Sequence, residues 1–188
     1  MKVHVCLSLV LSALFASFTF AQSDTPNHEV STGYSFLAEE SGTDRKGWVA
    51  SFSERVKSRL WIKAEAGGSY RKQQILDGRH PDFIHSILAG PEFKLRQDSK
   101  LVPWAHVLVG ITLNSYAEPV LGTSTVFGPI VRRRTDVGFG FQPGGGVDYY
   151  LTSGFGVRIG ADYRRDLSGF TDMDSLRLQS GVVVRFGS

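Results

Sequence analysis

The side chains that could carry out acyl-transfer chemistry are centred on the dipeptide His85-Ser86. Further candidates for a base or an orienting acid are His80, His106, Asp82 and Asp148. Acyl hydrolysis needs a hydroxyl, a base and an acid within hydrogen-bond reach. The spacing is unfavourable, because adjacent residues of a strand point to opposite faces and no Gly-x-Ser-x-Gly turn surrounds a serine. We therefore predict no catalytic residues and keep a lipid-modifying enzyme as the alternative.

Metal and cofactor chemistry finds little support in the sequence. The histidines outside the N-terminal segment lack metal-ligand spacing; they are His28, His80, His85 and His106. The run Gly144-Gly145-Gly146 is not followed by the Lys-Ser/Thr pair of a phosphate loop. We expect neither a metal nor a cofactor.

The charge balance bears on the partners of the chain. Its 188 residues include 21 Lys and Arg against 18 Asp and Glu, a formal net charge of +3. Binding to a phosphate backbone needs a concentrated basic patch, which this distribution lacks. Nucleic acid is not an expected partner.

The first 21 residues are typical of a signal peptide. Lys2 forms a short positive region, an apolar stretch follows, and Thr19-Phe20-Ala21 places a small residue before the expected cleavage point at Gln22. Cys6 is the single cysteine and lies in this leader. We expect residues 22–188 to form one exported domain without thiols or disulfides.

The mature chain alternates apolar and polar residues from end to end. The segment 155–164 places Phe155, Val157 and Ile159 on one parity, and Gly156 and Arg158 on the other. A period of two is the strand period. The same pattern recurs eight times, which predicts eight antiparallel strands. No later segment is apolar enough to be a membrane-spanning helix.

The expected connections alternate in length. Short turns follow strands two, four and six, whereas long loops over 39–46, 72–81, 116–134 and 165–175 follow the odd strands. Short turns at one end and long loops at the other are typical of an outer-membrane barrel. The sequence thus predicts an all-β, eight-stranded, antiparallel up-and-down transmembrane barrel.

A soluble barrel of lipocalin type would also have eight strands and a leader, so the two faces must distinguish them. The polar parity is rich in glycine, which suits a crowded lumen. The apolar parity carries aromatic residues such as Tyr34, Phe93 and Phe186, which are typical of the interfacial belts of membrane barrels. The membrane barrel is favoured, with its apolar parity facing lipid.

Charged side chains then face inward. The predicted lumen set comprises Lys63, Glu65, Glu92, Lys94, Arg96, Asp148, Arg158, Asp162, Arg164 and Arg185. An eight-stranded barrel leaves little more than side-chain volume inside. We expect a network of ion pairs that closes the lumen, and a small pore is a further alternative.

The triplet Arg132-Arg133-Arg134 is the one concentrated cationic feature, at the end of the longest predicted loop. Arginine is geometrically suited to phosphate, so lipopolysaccharide is a candidate partner. A solvent-exposed position at the base of a loop, without a binding role, explains the triplet equally well.

Together these features resemble those of a known protein family. The supporting segments are Gly33-Tyr34-Ser35-Phe36, Ala89-Gly90-Pro91-Glu92-Phe93, Pro103-Trp104-Ala105-His106, Gly144-Gly145-Gly146-Val147-Asp148 and Gly181-Val182-Val183-Val184-Arg185-Phe186. Over the whole mature chain, the sequence resembles small eight-stranded outer-membrane barrels such as the transmembrane domain of outer-membrane protein A.

The resemblance implies a monomer in the bacterial outer membrane that contacts lipid and the barrel assembly machinery. That machinery reads a terminal aromatic residue in many relatives, whereas Gly187-Ser188 follow Phe186 here. We expect a structural or surface-interaction role rather than an enzymatic one.

Overall fold

A computed structural model describes residues 26–40, 42–75, 78–96, 99–119, 131–168 and 171–187 of the chain. The predicted signal peptide, residues 1–21, lies outside the described residues. No helix among the described residues could cross a membrane.

Eight strands make up the fold. They are β1 (His28–Glu39), β2 (Asp44–Arg55), β3 (Leu60–Ile75), β4 (Gly78–Lys94), β5 (Leu101–Pro119), β6 (Val131–Tyr150), β7 (Phe155–Ser168) and β8 (Thr171–Phe186). Each strand pairs antiparallel with the next, and β1 pairs with β8 to close the barrel. The predicted all-β, eight-stranded, up-and-down barrel is confirmed.

The strands are longer than the predicted long loops between them allow. The strands hold 12 to 20 residues, so most of the described residues in the predicted long loops belong to strands. Ile75 and Gly78 still pair across β3 and β4, and Pro119 and Val131 pair across β5 and β6. Backbone pairing continues beyond the point where one face ceases to be apolar, and alternation cannot reveal strand ends that are polar on both faces.

The apolar parity faces outward. Ile87, Ile111 and Ile159 are 72%, 58% and 66% exposed. Exposed aromatic residues lie toward both ends of this surface, with Tyr149 and Phe186 near the termini and Tyr70 and Phe139 toward the other end. A closed sheet that exposes a continuous apolar surface between aromatic residues is the arrangement of a transmembrane barrel.

Candidate functional site

Charged side chains fill the barrel interior. Nine of the ten residues assigned to the lumen from sequence lie inside the barrel and are buried: Lys63, Glu65, Glu92, Lys94, Asp148, Arg158, Asp162, Arg164 and Arg185. The assignment of Arg96 is wrong. β4 ends at Lys94, and Arg96 is an exposed turn residue with a left-handed φ of 54°.

Glu29 of β1 is the centre of the layer nearest the termini. It accepts hydrogen bonds from Arg158 of β7, from Arg185 of β8 at 3.3 Å and from the Tyr150 hydroxyl at 2.9 Å. Lys94 of β4 also forms an ion pair with it. One carboxylate thus joins four strands other than its own.

Arg158 and Asp148 form the second contact of this layer. The Arg158 Nε and Nη2 atoms donate to the two oxygens of Asp148 at 2.7 and 2.8 Å. The Trp104 indole N–H donates to the same carboxylate at 3.0 Å. Bidentate pairs of this kind fix the geometry as well as the charge.

A second layer lies at the middle of the barrel. Arg177 of β8 contacts Glu65 of β3 and Asp162 of β7, both at 2.7 Å. His106 Nε2 lies 3.0 Å from Asp162, and His106 Nδ1 lies 3.3 Å from the Lys63 ammonium. Apart from the Arg177–Asp162 pair, which joins the neighbouring strands β8 and β7, these contacts cross the lumen between strands that are not neighbours in the sheet.

Several members of the network were missed at the sequence level. Glu29 and Arg177 lie on the inward parity and could have been found by extending the alternation to every strand. Trp61 and Trp104 share the parity of Lys63 and His106, so the same alternation places them inside, although the sequence does not give their contacts. Both are buried, and Lys94 lies 4.4 Å from the Trp61 ring centroid.

The buried charges nearly balance. The described chain buries eight carboxylates, on Glu29, Glu39, Glu65, Asp82, Glu92, Asp148, Asp162 and Asp166. Seven basic side chains are buried with them, on Arg45, Lys63, Lys94, Arg158, Arg164, Arg177 and Arg185. Such a set is stable only if nearly every charge is paired, because an isolated buried charge is costly.

The candidate acyl-transfer residues do not come together. Ser86 points inward, where Arg164 donates to its hydroxyl at 3.2 Å. His85 lies on the outer surface against Tyr70, with ring centroids 5.6 Å apart. Among the described residues, no group of three or more His, Cys, Asp or Glu is placed to bind a metal ion.

A cavity of about 570 Å³ opens at the barrel end away from the termini. Its lining includes Glu39, Arg45, Arg71, Asp82 and Asp136. Arg71 contacts Asp82 at 2.7 Å, and Arg45 forms ion pairs with both Glu39 and Asp82. We call this cavity the mouth cavity.

Asp136 is held in its ionised form at this rim. The Arg134 guanidinium donates to it at 3.0 Å and the Tyr116 hydroxyl at 2.8 Å. These hydrogen bonds, that from Arg134 above all, lower the pKa of the Asp136 carboxyl below its usual range.

The arginine triplet lies on β6 rather than in a loop, so its side chains alternate between faces. Arg134 faces the mouth cavity side with Asp136, and Arg132 shares its parity. Arg133 lies on the outer surface, where its guanidinium is 5.4 Å from the Phe83 ring centroid and contacts the Pro81 carbonyl. The prediction of one loop-based cationic cluster is therefore wrong.

Comparison with solved structures identifies the fold. The attachment invasion locus protein Ail of Yersinia pestis superposes with a TM-score of 0.59, covering 86% of this chain and 100% of that one at 15% identity. The chain has the fold of a bacterial outer-membrane barrel. The outer-membrane protein OprG of Pseudomonas aeruginosa superposes on this barrel with a TM-score of 0.60, covering 87% and 97% of the two chains at 11% identity.

Neisserial surface protein A gives a TM-score of 0.59 with the outer-membrane barrel, covering 85% and 96% of the two chains at 17% identity. Ail has also been solved in complex with the heparin analogue sucrose octasulfate. No protein-family model matches the sequence, and no curated protein is similar to it at a significant level.

Proposed function

We propose that this protein is a non-catalytic outer-membrane barrel with a structural or surface-interaction role, whose lumen is closed by its own charged side chains. The observation that carries the proposal is the interior network around Glu29, Asp148 and Arg158, which links strands across the barrel. A permeating ion would have to separate pairs that stabilise each other at low dielectric.

Planar-bilayer recording tests closure. The wild-type protein is expected to show no steady single-channel conductance. The double variant Trp104→Ala, Arg158→Ser removes an indole and a guanidinium that lie 5.0 Å apart in the lumen, and we expect it to conduct intermittently. Steady conductance of the wild type would establish a pore instead.

The enzymatic alternative needs a reacting hydroxyl that substrate can reach. Ser86, the one candidate of this kind, is 4% exposed. We expect no lipid A acyl transfer by the wild-type protein in mixed micelles. Transfer that disappears in Ser86→Ala but persists in His85→Ala would favour the enzyme.

Lipopolysaccharide is the surface partner that we propose, through Arg133 rather than the whole triplet. Arg133 crosses the outer face of β5, where it lies 3.5 Å from the Ser115 hydroxyl, to reach Phe83 on β4. A guanidinium above a half-buried aromatic ring on the outer surface is well placed for a lipid phosphate at the membrane interface. Neisserial surface protein A and Ail share the fold, which is compatible with this role.

Strand alternation supplies a matched control for this contact. Arg133→Ala is expected to reduce co-purifying lipopolysaccharide, whereas Arg132→Ala removes the same charge from the inward parity and should leave it unchanged. Equal retention by both variants would remove the proposed contact.

We further propose that the chain is secreted with residues 1–21 as its signal peptide, is inserted by the barrel assembly machinery and remains a monomer. A closed sheet leaves no unpaired edge to recruit a second copy. N-terminal sequencing of the mature protein should begin at Gln22.

A further inference from the structure

Four exposed cations lie on two neighbouring connections at the barrel end that carries the termini. Lys57 and Arg59 belong to the turn between β2 and β3. Arg96 and Lys100 belong to the connection between β4 and β5. The Lys94 amide donates to the Arg59 carbonyl at 3.0 Å, so the two connections lie side by side. We call Lys57, Arg59, Arg96 and Lys100 the turn patch.

Backbone hydrogen bonds position the turn patch without using its charges. Lys57 and Leu60 exchange backbone hydrogen bonds at 3.1 and 3.2 Å, which close a tight turn containing Arg59. The Arg96 carbonyl accepts a hydrogen bond from the Ser99 amide at 3.0 Å. None of these bonds involves a charged group, so the four charges are not needed to hold the two connections.

The charge of the turn patch is not compensated within the described part of the chain. None of its four side chains forms an ion pair with a described carboxylate, whereas Lys63 and Lys94 in the lumen each contact two carboxylates. A further turn at this end, residues 151–154, carries no charged residue. The positive charge is thus concentrated on one side of the terminal rim, where it attracts an anionic partner.

Exposed apolar side chains accompany these cations. Val56, Leu95 and Leu101 are exposed, and each is adjacent in sequence to a residue of the turn patch. The exposed aromatic residues Phe93 and Tyr149 lie on the neighbouring strand ends. Apolar side chains that enter the acyl region beside Lys and Arg that reach the phosphates are typical of the membrane interface. The turn patch therefore lies at the depth of lipid headgroups.

We propose that the turn patch binds the phosphate group of an anionic phospholipid in the membrane leaflet on the side of the termini. A guanidinium can donate two hydrogen bonds to one phosphate, and each Lys or Arg near an anionic headgroup strengthens lipid binding about fivefold. A soluble polyanion fits less well, because it would leave Val56, Leu95 and Leu101 exposed to water. Neither closure of the lumen nor the contact of Arg133 with lipopolysaccharide is needed for this site.

Native mass spectrometry of the folded mature barrel in nonionic micelles tests the proposal, with phosphatidylglycerol and phosphatidylcholine of identical acyl chains as probes. The wild-type barrel should retain phosphatidylglycerol at a lower lipid concentration than phosphatidylcholine. Equal retention of the two lipids would overturn the proposal. Full displacement of phosphatidylglycerol by glycerophosphate would also overturn it, because the site would then need only the phosphate.

Matched variants locate the lipid. Arg59→Gln and Arg96→Gln should each weaken phosphatidylglycerol binding about fivefold and leave phosphatidylcholine binding unchanged. Lys46→Gln removes the same charge from an exposed position at the opposite end of the barrel and should bind like the wild type. Faster gel migration of unheated than of boiled protein establishes that each variant is folded.

If folded Arg59→Gln and Arg96→Gln keep the wild-type lipid preference, the proposed site is wrong. Co-sedimentation of the wild type with peptidoglycan that these variants lose, without any lipid preference of the wild type, would overturn the lipid in favour of the cell wall.

Discussion

At the scale of single residues, glycine determines whether the lumen can be filled. A Cβ atom on Gly160 would lie 2.6 and 2.7 Å from ring atoms of Trp104. The indole cannot retreat easily, because it donates to Asp148 at 3.0 Å and stacks on His106 with centroids 5.1 Å apart. The absence of a side chain at Gly160 is thus a packing requirement of the network.

We predict that Gly160→Val lowers the free energy of unfolding by about 1–3 kcal/mol, the usual cost of overpacking. Ala161→Val is the matched control, since Ala161 is the next residue, is exposed and faces outward; its effect should stay within about 0.5 kcal/mol. Urea unfolding in lipid vesicles measures both. Equal stability of the two variants would show that Trp104 has room to move.

At the scale of the strand, neighbouring residues point to opposite faces and therefore tolerate different substitutions. On β7, Arg158 and Gly160 face the lumen, whereas Ile159 is 66% exposed on the apolar surface. The same rule separates Arg133 from Arg132 and Arg134 on β6. Successive residues of the same type on a strand are therefore divided between the two faces of the sheet and have different surroundings.

Ile159→Arg is expected to cost about 2–4 kcal/mol of folding free energy in a bilayer, because it places a charge against the lipid chains. Ile159→Leu, which keeps the site apolar, should change it little. The measurement is the denaturant midpoint for folding into vesicles. An unchanged midpoint for Ile159→Arg would mean that this face of β7 does not contact lipid.

At the scale of the whole molecule, closure brings the two ends of the chain together. His28 of β1 pairs with Phe186 of β8, and an even number of strands returns both termini to one side of the barrel. Residues 120–130 lie outside the described residues, and the residues that flank them, Pro119 and Val131, pair at the opposite end of the barrel. We expect the termini on the periplasmic side and this connection outside the cell.

A cysteine introduced at Ser124 should accordingly react with a membrane-impermeant thiol reagent in intact cells. Ser153→Cys, in the turn between β6 and β7 at the terminal end, should react only after lysis. The native chain has one cysteine, Cys6, in the predicted signal peptide, so the mature background should be unreactive. The reverse labelling pattern would invert the topology.

The amino-acid sequence by itself determined the number of strands, their antiparallel order and the face that each residue presents. These properties follow from a local period of two and from the turn residues between the strands. Lys63, Asp148 and Arg158 could therefore be assigned to the interior without knowing what they contact. Arg96 was misplaced because it lies just past the end of β4, where the period no longer applies.

Only the tertiary structure decided which charges meet. Glu29 and Arg185 are 156 residues apart, and they contact each other because β1 and β8 close the barrel in one particular register. The contact of Arg133 with Phe83 across β5 and the lining of the mouth cavity depend in the same way on how the strands are staggered around the barrel. Alternation specifies a direction for each side chain, whereas its partners depend on the register and closure of the whole sheet.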